Sequence, residues 1–310
     1  MKRTVKIGTR QSPLALWQAE HMAELLGSRN PSCTFVLVPM RTKGDKLLDV
    51  PLAKIGDKGL FTKELEIALL EGEIDLAVHS MKDLPTILPP GLIIGAITRR
   101  EDPRDALISR QGNFFSDLPR GAIIGTGSLR RRAQLLHARP DLNLADLRGN
   151  IDTRLKRLDQ GDFTAVILAA AGVDRLGLGE RITERLDYSI SLPAIGQGAL
   201  GLEIRDNDEE MAGIIRGAND AETSCCIRVE RDFLRTLEGG CQIPIGAMAQ
   251  IQGGKISLQG MVASLDGHRM LKDSISVDKT CPGDLGITLA RKLLAQGADE
   301  ILNKIRVGDC

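Results

Sequence analysis

The chain has 310 residues, with 41 Lys plus Arg against 41 Asp plus Glu, a formal net charge of zero. Hydrophobic residues make up 42% and aromatic residues 3%, with one Trp and one Tyr. That length suits two or three domains with buried cores. Balanced charge and scarce aromatics argue against a general nucleic-acid binder, which needs a basic excess or many stacking platforms.

No run approaches the roughly eighteen apolar residues of a membrane span. The N-terminus, Met-Lys-Arg-Thr-Val-Lys-Ile-Gly, reads directly as a strand, without the apolar segment of a signal peptide. Cysteines stand at 33, 225, 226, 241, 281 and 310 without a Cys-x-x-Cys pair or zinc spacing. A reduced, cytoplasmic protein with no bound metal, no nucleic acid and no membrane is the expectation.

Periodicity predicts alternating strands and helices through most of the chain. Val5–Gly8 reads as a strand, and Pro13–Leu26 as a helix with Ser12 as N-cap and Pro13 at its favoured first position. Thr34–Val38 is a second strand. Residues 41–60 are rich in Gly, Lys and Asp and read as a mobile lid in which Lys54 and Lys58 could meet anions. Thr62 is placed to cap a helix bearing Leu65, Ala68 and Leu69, and Ile74–Val78 reads as a buried strand ending at His79. Strands are expected near 105–109 and 121–125, a helix from 129, a strand near 142–147, a helix from 151 and a strand at 164–169. Ala199–Ile204 reads as a further strand. From about residue 219 the pattern changes to a long helix over 219–236, two or three strands over 247–277 and a helix near 284–304. That is an α+β unit behind two α/β units.

Arg130, Arg131 and Arg132 fall in the first turn of the helix that Ser128 caps. A helix N-terminus carries partial positive charge, so cations there are unfavourable unless something negative binds between them; the run suggests a site for an anionic ligand, with a solvated charged face as the alternative. Other polar groups also follow strands, where open α/β sheets bind ligands. They are Thr9 to Ser12, His79 to Asp83, Thr126 to Arg132, Arg148 to Asn150 with Arg154 one turn later, and Arg175. Five such clusters on one sheet edge read as a cleft for a polyanion, and arginine's planar fork suits carboxylates. Asp83, beside Lys82, stands out as a lone acid among these cations; it could hold a cationic intermediate or move protons. A helix cap or a surface ion pair is the alternative for Asp83. His79 reads as a packed strand-end histidine, and Cys225-Cys226 as structural residues inside a helix. Cys241, framed by Gly239-Gly240 and Gln242-Ile243-Pro244, lies on a loop that suits a nucleophile or an attachment point.

Together these segments resemble the porphobilinogen deaminase family over the whole chain. The resemblance is carried by Thr9-Arg-Gln-Ser-Pro-Leu-Ala-Leu-Trp-Gln-Ala19, Lys58-Gly-Leu-Phe61, Asp75-Leu-Ala-Val-His-Ser-Met-Lys-Asp83 and Arg100-Glu-Asp-Pro-Arg-Asp-Ala106. Ser128-Leu-Arg-Arg131, Leu147-Arg-Gly-Asn150, Leu192-Pro-Ala-Ile-Gly-Gln-Gly198 and Leu237-Glu-Gly-Gly-Cys-Gln-Ile-Pro-Ile-Gly246 add to it. Thr126-Gly127-Ser128 departs from the family's usual Thr-Ser-Ser.

The resemblance implies two α/β domains like the halves of a type II periplasmic binding protein and a smaller α+β C-terminal domain. Their expected extents are 1–98 with 199–216, then 99–198, then 217–310. It also implies a monomeric transferase of haem and other tetrapyrrole biosynthesis. Such an enzyme joins four porphobilinogen molecules head to tail, releasing an ammonia at each step, on a dipyrromethane cofactor. Cys241 matches the residue that carries this cofactor by a thioether, and Asp83 matches the catalytic acid. Lys82, Asp83, Ser128, Arg130, Arg131 and Arg148 match cofactor-binding positions. Arg10, Ser12, Thr126, Arg148, Arg154, Arg175 and Gln197 are expected to bind substrate. The rival reading is a two-lobed protein that captures a small anion without catalysis.

Overall fold

A computed structural model describes residues 2–46, 59, 61–238 and 243–307. Cys241 and most of the expected lid, including Lys54 and Lys58, lie outside the described residues.

The chain opens with β1 (Arg3–Arg10), α1 (Pro13–Arg29), β2 (Cys33–Met40), α2 (Lys43–Lys46), α3 (Lys63–Leu70), β3 (Leu76–Ser80), a 3-10 turn at Met81–Asp83, and β4 (Leu92–Ile97). Next come β5 (Asp105–Ser109), β6 (Ile123–Gly125), α4 (Leu129–Ala138), β7 (Asn143–Ala145), α5 (Ile151–Asp159), β8 (Ala165–Ala169), α6 (Ala170–Arg175) and β9 (Glu184–Arg185). The remainder holds β10 (Leu200–Arg205), α7 (Glu209–Ile215), α8 (Ala221–Thr236), β11 (Ile245–Gln252), β12 (Lys255–Ala263), β13 (Met270–Asp278), α9 (Leu285–Leu293) and α10 (Asp299–Val307).

Two five-stranded sheets carry the α/β part, in the orders β2-β1-β3-β10-β4 and β7-β6-β8-β5-β9. In the first, β1 runs parallel to β2 and β3, while β10 is antiparallel to β3 and β4. In the second, β6 is parallel to β7 and β8, and β5 is antiparallel to β8 and β9. Each antiparallel strand, β5 and β10, is the first one laid down after the chain crosses from one sheet to the other. That is the two-crossover topology of type II periplasmic binding proteins. The third sheet, β11-β12-β13, is an antiparallel meander.

Helix starts follow local chemistry. The Ser12 hydroxyl accepts from Ala15 N at 3.3 Å, Ser128 from Arg131 N at 3.4 Å, and the Asn150 carbonyl from Thr153 N at 2.9 Å. Thr62 occupies the N-cap position of α3, but its hydroxyl donates to Glu66 Oε1 at 2.7 Å instead of capping the backbone. The first sheet packs on Met22 and Leu26 of α1 and Met211 and Ile215 of α7. Phe233 of α8, with Leu289 and Leu293 of α9, fills the core against the third sheet.

Four expectations need correction. Residues 43–46 of the expected lid form α2, because Lys43 N donates to Glu64 Oε1 at 2.9 Å and a side chain at Gly44 would run into the Phe61 ring. The single helix near 284–304 is two helices, broken where Gly297 takes φ 99°, a left-handed conformation that glycine adopts freely. β4, β9, α6 and α7 escape the periodicity reading because they are short or sit at sheet edges. The polar clusters lie at the ends of strands in two sheets, not on one sheet edge. Thr9–Ser12 and His79–Asp83 span the ends of β1 and β3; the clusters of Arg130–Arg132, Arg148 with Arg154, and Arg175 come after β6, β7 and β8.

Candidate active site

On the first lobe, β1 and β3 run side by side and deliver Arg10, Ser12, His79, Ser80 and Asp83 to one small cavity, together with Phe61 and Thr62. The Arg10 guanidinium carbon sits 4.3 Å from the centre of the Phe61 ring, a cation–π contact that fixes its plane. His79 is buried, as a strand-end histidine should be, and its Nε2 lies 2.8 Å from Glu203 Oε2 on β10. Asp83 closes the 3-10 turn after β3 and is only partly buried. No described side chain forms a hydrogen bond or ion pair with it, so neither a side-chain cap nor a surface ion pair accounts for it among the described residues.

On the second lobe the three consecutive arginines part company, because successive residues fan about 100° around a helix. Arg132 turns away and donates to Leu144 O at 3.1 Å. Arg130 and Arg131 turn inward, 5% and 6% exposed, onto the fully buried Asp105. Arg130 Nη1 reaches Asp105 Oδ2 at 2.7 Å, and Arg131 Nη2 reaches Oδ1 at 2.8 Å. Burial raises the Asp105 carboxyl, but the two guanidiniums outweigh it and hold the group well below the usual carboxylate range. The acid beside Lys82 is therefore not alone among the cations. Where the sequence suggested an anionic ligand, the group between the two arginines is a protein carboxylate from a distant strand.

Charged groups of the two lobes lie close enough to shift one another. The charge of Lys82 responds to Asp83 on its own lobe and to Arg131, Asp105 and Arg130 on the other; that of Arg154 responds to Arg131, Arg148 and Asp83. Burial, the largest cause, lowers Arg154 to about 10, with its arginine neighbours pushing the same way. Arg154 Nε donates to Gly149 O at 2.8 Å, and Arg148 Nη1 is a buried donor with no hydrogen-bond partner. Lys82, Asp83, Arg130, Arg131, Arg148 and Arg154 thus form one cluster across the two lobes.

Other expected residues face protein partners. The Thr126 hydroxyl, 2% exposed, accepts from Ser128 N at 3.2 Å. Arg175 is spent at the crossovers, on Glu101 at 3.1 Å and Gly198 O at 2.9 Å. Gln197 donates to Pro103 O at 2.7 Å and Asp105 Oδ1 at 3.0 Å, and its Oε1 accepts from Lys82 Nζ at 3.4 Å. Gly127 is tightly placed: a Cβ there would lie 3.0 Å from Leu147 O. The residues sequence reasoning missed are Asp105, Glu101, Arg100, Glu230 and Phe61. All but Glu230 lie in quoted motifs, and the available signal was acids next to apolar strands, which must find partners when buried.

Among the described residues there is no helix long and apolar enough to cross a membrane and no group of three or more His, Cys, Asp or Glu that could hold a metal ion. The described free cysteines are Cys33, Cys225, Cys226 and Cys281. Burial, chiefly, pushes the Cys226 thiol up to about 12, which suits a structural residue.

Fold and site define a two-lobed α/β protein with a third domain and a cationic, carboxylate-containing cleft. Family models described as "Porphobilinogen deaminase, dipyromethane cofactor binding domain" and "Porphobilinogen deaminase, C-terminal domain" match residues 5–213 and 224–295. The porphobilinogen deaminase of Desulfitobacterium hafniense is 56% identical over 303 residues, covering 98% of each chain. That of Moorella thermoacetica is 54% identical over 302 residues, covering 97% of this chain and 96% of the relative. The periplasmic VFT2 domain of Bordetella pertussis BvgS is a looser likeness at 17% identity and TM-score 0.42, covering 69% of this chain and 86% of that one. The chain belongs to the porphobilinogen deaminase family, transferases of tetrapyrrole biosynthesis that use a dipyrromethane cofactor. A non-catalytic binding protein is not favoured.

Proposed function

We propose that this protein joins four porphobilinogen molecules head to tail, each join forming one carbon–carbon bond and releasing one ammonia, before water frees the linear product. It works as a cytoplasmic monomer with domains at 1–98 with 199–216, 99–198 and 217–310. The third domain carries the dipyrromethane on Cys241 through a thioether. The observation that carries the reading is Asp83, an acid without a described partner, set within a cluster of cations from both lobes.

The residues present fit the cofactor: the buried, unpartnered Arg148 Nη1 is a donor that one of its carboxylates would satisfy. When bound, the dipyrromethane supplies the pyrrole end to which substrate is joined. Lys82, Ser128, Arg130, Arg131 and Arg148 bind its acidic side chains. Each porphobilinogen adds an acetate and a propionate, and two unit charges about 4 Å apart repel by roughly 4 kcal/mol at an effective dielectric of 20. Arg10, Ser12, Arg148 and Arg154 offset that repulsion. Thr126 and Arg175 contribute by exchanging their internal partners for substrate oxygens, while Gln197 keeps its bond to Asp105 and meets substrate at the end that faces Lys82. Asp83 donates a proton toward the departing ammonia, then as a carboxylate stabilises the positive charge left on the substrate, and is restored as an acid by the proton given up by the ring carbon that forms the new bond.

The test is an intact mass of the purified protein. The folded wild type should weigh more than its sequence by two linked pyrroles and colour with an aldehyde reagent for pyrroles. Cys241→Ser should fold without the added mass and without turnover. An active wild type of unmodified mass would sink the reading.

A pH prediction follows from Lys82. Its burial, the largest cause, together with Arg131 and Arg130, lowers the ammonium to about 8, against the pull of Asp83 and Asp105. A lowered lysine is charged below that value and loses its charge as pH rises through it. The Lys82 ammonium also attracts the incoming substrate carboxylates, so KM for the anionic substrate should climb above pH 8, while Lys82→Arg, charged throughout, should remove the climb. Parallel KM profiles for the two proteins up to about pH 9 would contradict this role.

A further inference from the structure

Resting on the reading above, we propose that Asp105 is a positioning residue for the cofactor and substrate carboxylates: it holds Arg130, Arg131 and Gln197 in one fixed array. Asp105 opens β5 just past the first crossover and is 0% exposed. Its Oδ1 accepts from Arg130 Nη2 at 3.2 Å, Arg131 Nε at 2.9 Å and Gln197 Nε2 at 3.0 Å, and stands 2.8 Å from Arg131 Nη2 in an ion pair. Its Oδ2 accepts from Arg130 Nη1 at 2.7 Å and Ser191 Oγ at 2.7 Å. Two guanidiniums on adjacent residues at a helix N-terminus repel each other and the helix dipole. Asp105 neutralises one of the two charges and fixes the angle of both planes.

The tethering goes further than packing requires. Arg130 Nη1 is also held by Leu192 O at 2.5 Å, and Arg131 Nη1 by Ile167 O at 3.0 Å, so each fork is aimed from two sides. Through Gln197, whose Oε1 accepts from Lys82 Nζ, the array reaches the cation of the opposite lobe. One net positive charge remains on the Arg130–Asp105–Arg131 triplet. An incoming carboxylate meets donors already oriented, and does not bear the cost of ordering two long side chains.

The experiment compares wild type, Asp105→Asn, Asp105→Glu and Ser191→Ala for folding by circular dichroism, for cofactor loading by intact mass, and for KM and kcat separately. Asp105→Asn should load a smaller fraction and show a KM raised by about tenfold or more, with kcat per loaded molecule changed far less because Asp83 is intact. Asp105→Glu should restore part of the loading. Ser191→Ala, which removes one donor to Oδ2 and leaves both arginines, should raise KM a few-fold. A folded Asp105→Asn protein with wild-type loading and KM overturns the proposal, as does a loss confined to kcat. If Asp105→Asn does not fold, unchanged KM and loading in Ser191→Ala overturn it. Failure of the parent reading shows separately, as a wild type without adduct, and would take this inference with it.

Discussion

Asp83→Asn is expected to fold and carry the cofactor, yet lose turnover by about 10²–10⁴, the usual worth of a positioned acid–base group. The amide keeps the shape of the carboxylate but can neither donate a proton as an acid nor carry negative charge. Because no described side chain bonds to Asp83, its replacement breaks no described structural contact, and the melting temperature should scarcely move. Asp83→Glu keeps the charge on a longer arm and should retain a small residual rate. The check is kcat with cofactor content for both variants. Turnover of Asp83→Asn within a few-fold of wild type would move the catalytic acid elsewhere.

Arg131→Leu should fail in a different way. Every nitrogen of this guanidinium is engaged: Nε and Nη2 with Asp105, Nη1 with Ile167 O. Leucine fills the space but leaves a buried carbonyl bare and Asp105 with one cation in place of two. Breaking a buried ion pair from one side costs roughly 3–5 kcal/mol. At about 2–4 °C per kcal/mol, the figure for domains somewhat smaller than this chain, the melting temperature should fall by roughly 6–20 °C. Cofactor loading should fall with it. Arg154→Leu is the contrast: its described hydrogen bond is the one to Gly149 O, so stability should hold while KM rises. Thermal unfolding and intact mass on both variants separate the effects; equal melting temperatures would mean that the triplet is not structural.

Much of this fold could be read from local chemistry. Ser12 and Ser128 mark helix starts in the sequence, and each makes the capping bond expected of it. The apolar run at 164–169 is a central strand because only a strand buried on both faces tolerates Ala-Val-Ile-Leu-Ala there. Gly297, one glycine inside a helical pattern, gave no hint that the helix breaks, since isolated glycines are also tolerated in helices. At the site, the first-turn arginines were legible as a demand for an anion. The identity of that anion was not, because Asp105 lies 25 residues away and reaches the arginines only once β5 is inserted in the sheet beside β8. Roles that depend on long-range pairing, such as those of Arg175 and Gln197 at the crossovers, leave no periodic trace.

Glu230, fully buried on α8, has a mechanical consequence. Its carboxylate accepts from Arg100 at 2.5 Å on the first crossover, from Gly196 N at 2.8 Å on the second, and from Ala249 N at 2.8 Å on β11. The two connecting strands are therefore pinned to one point by a residue of a third body. A rotation of one lobe against the other that kept these bonds would have to pivot about that pin. The same α8 ends at Thr236, a few residues before Cys241. The axis of any such swing thus belongs to α8, so the third sheet packed on that helix would stay still while the lobes move.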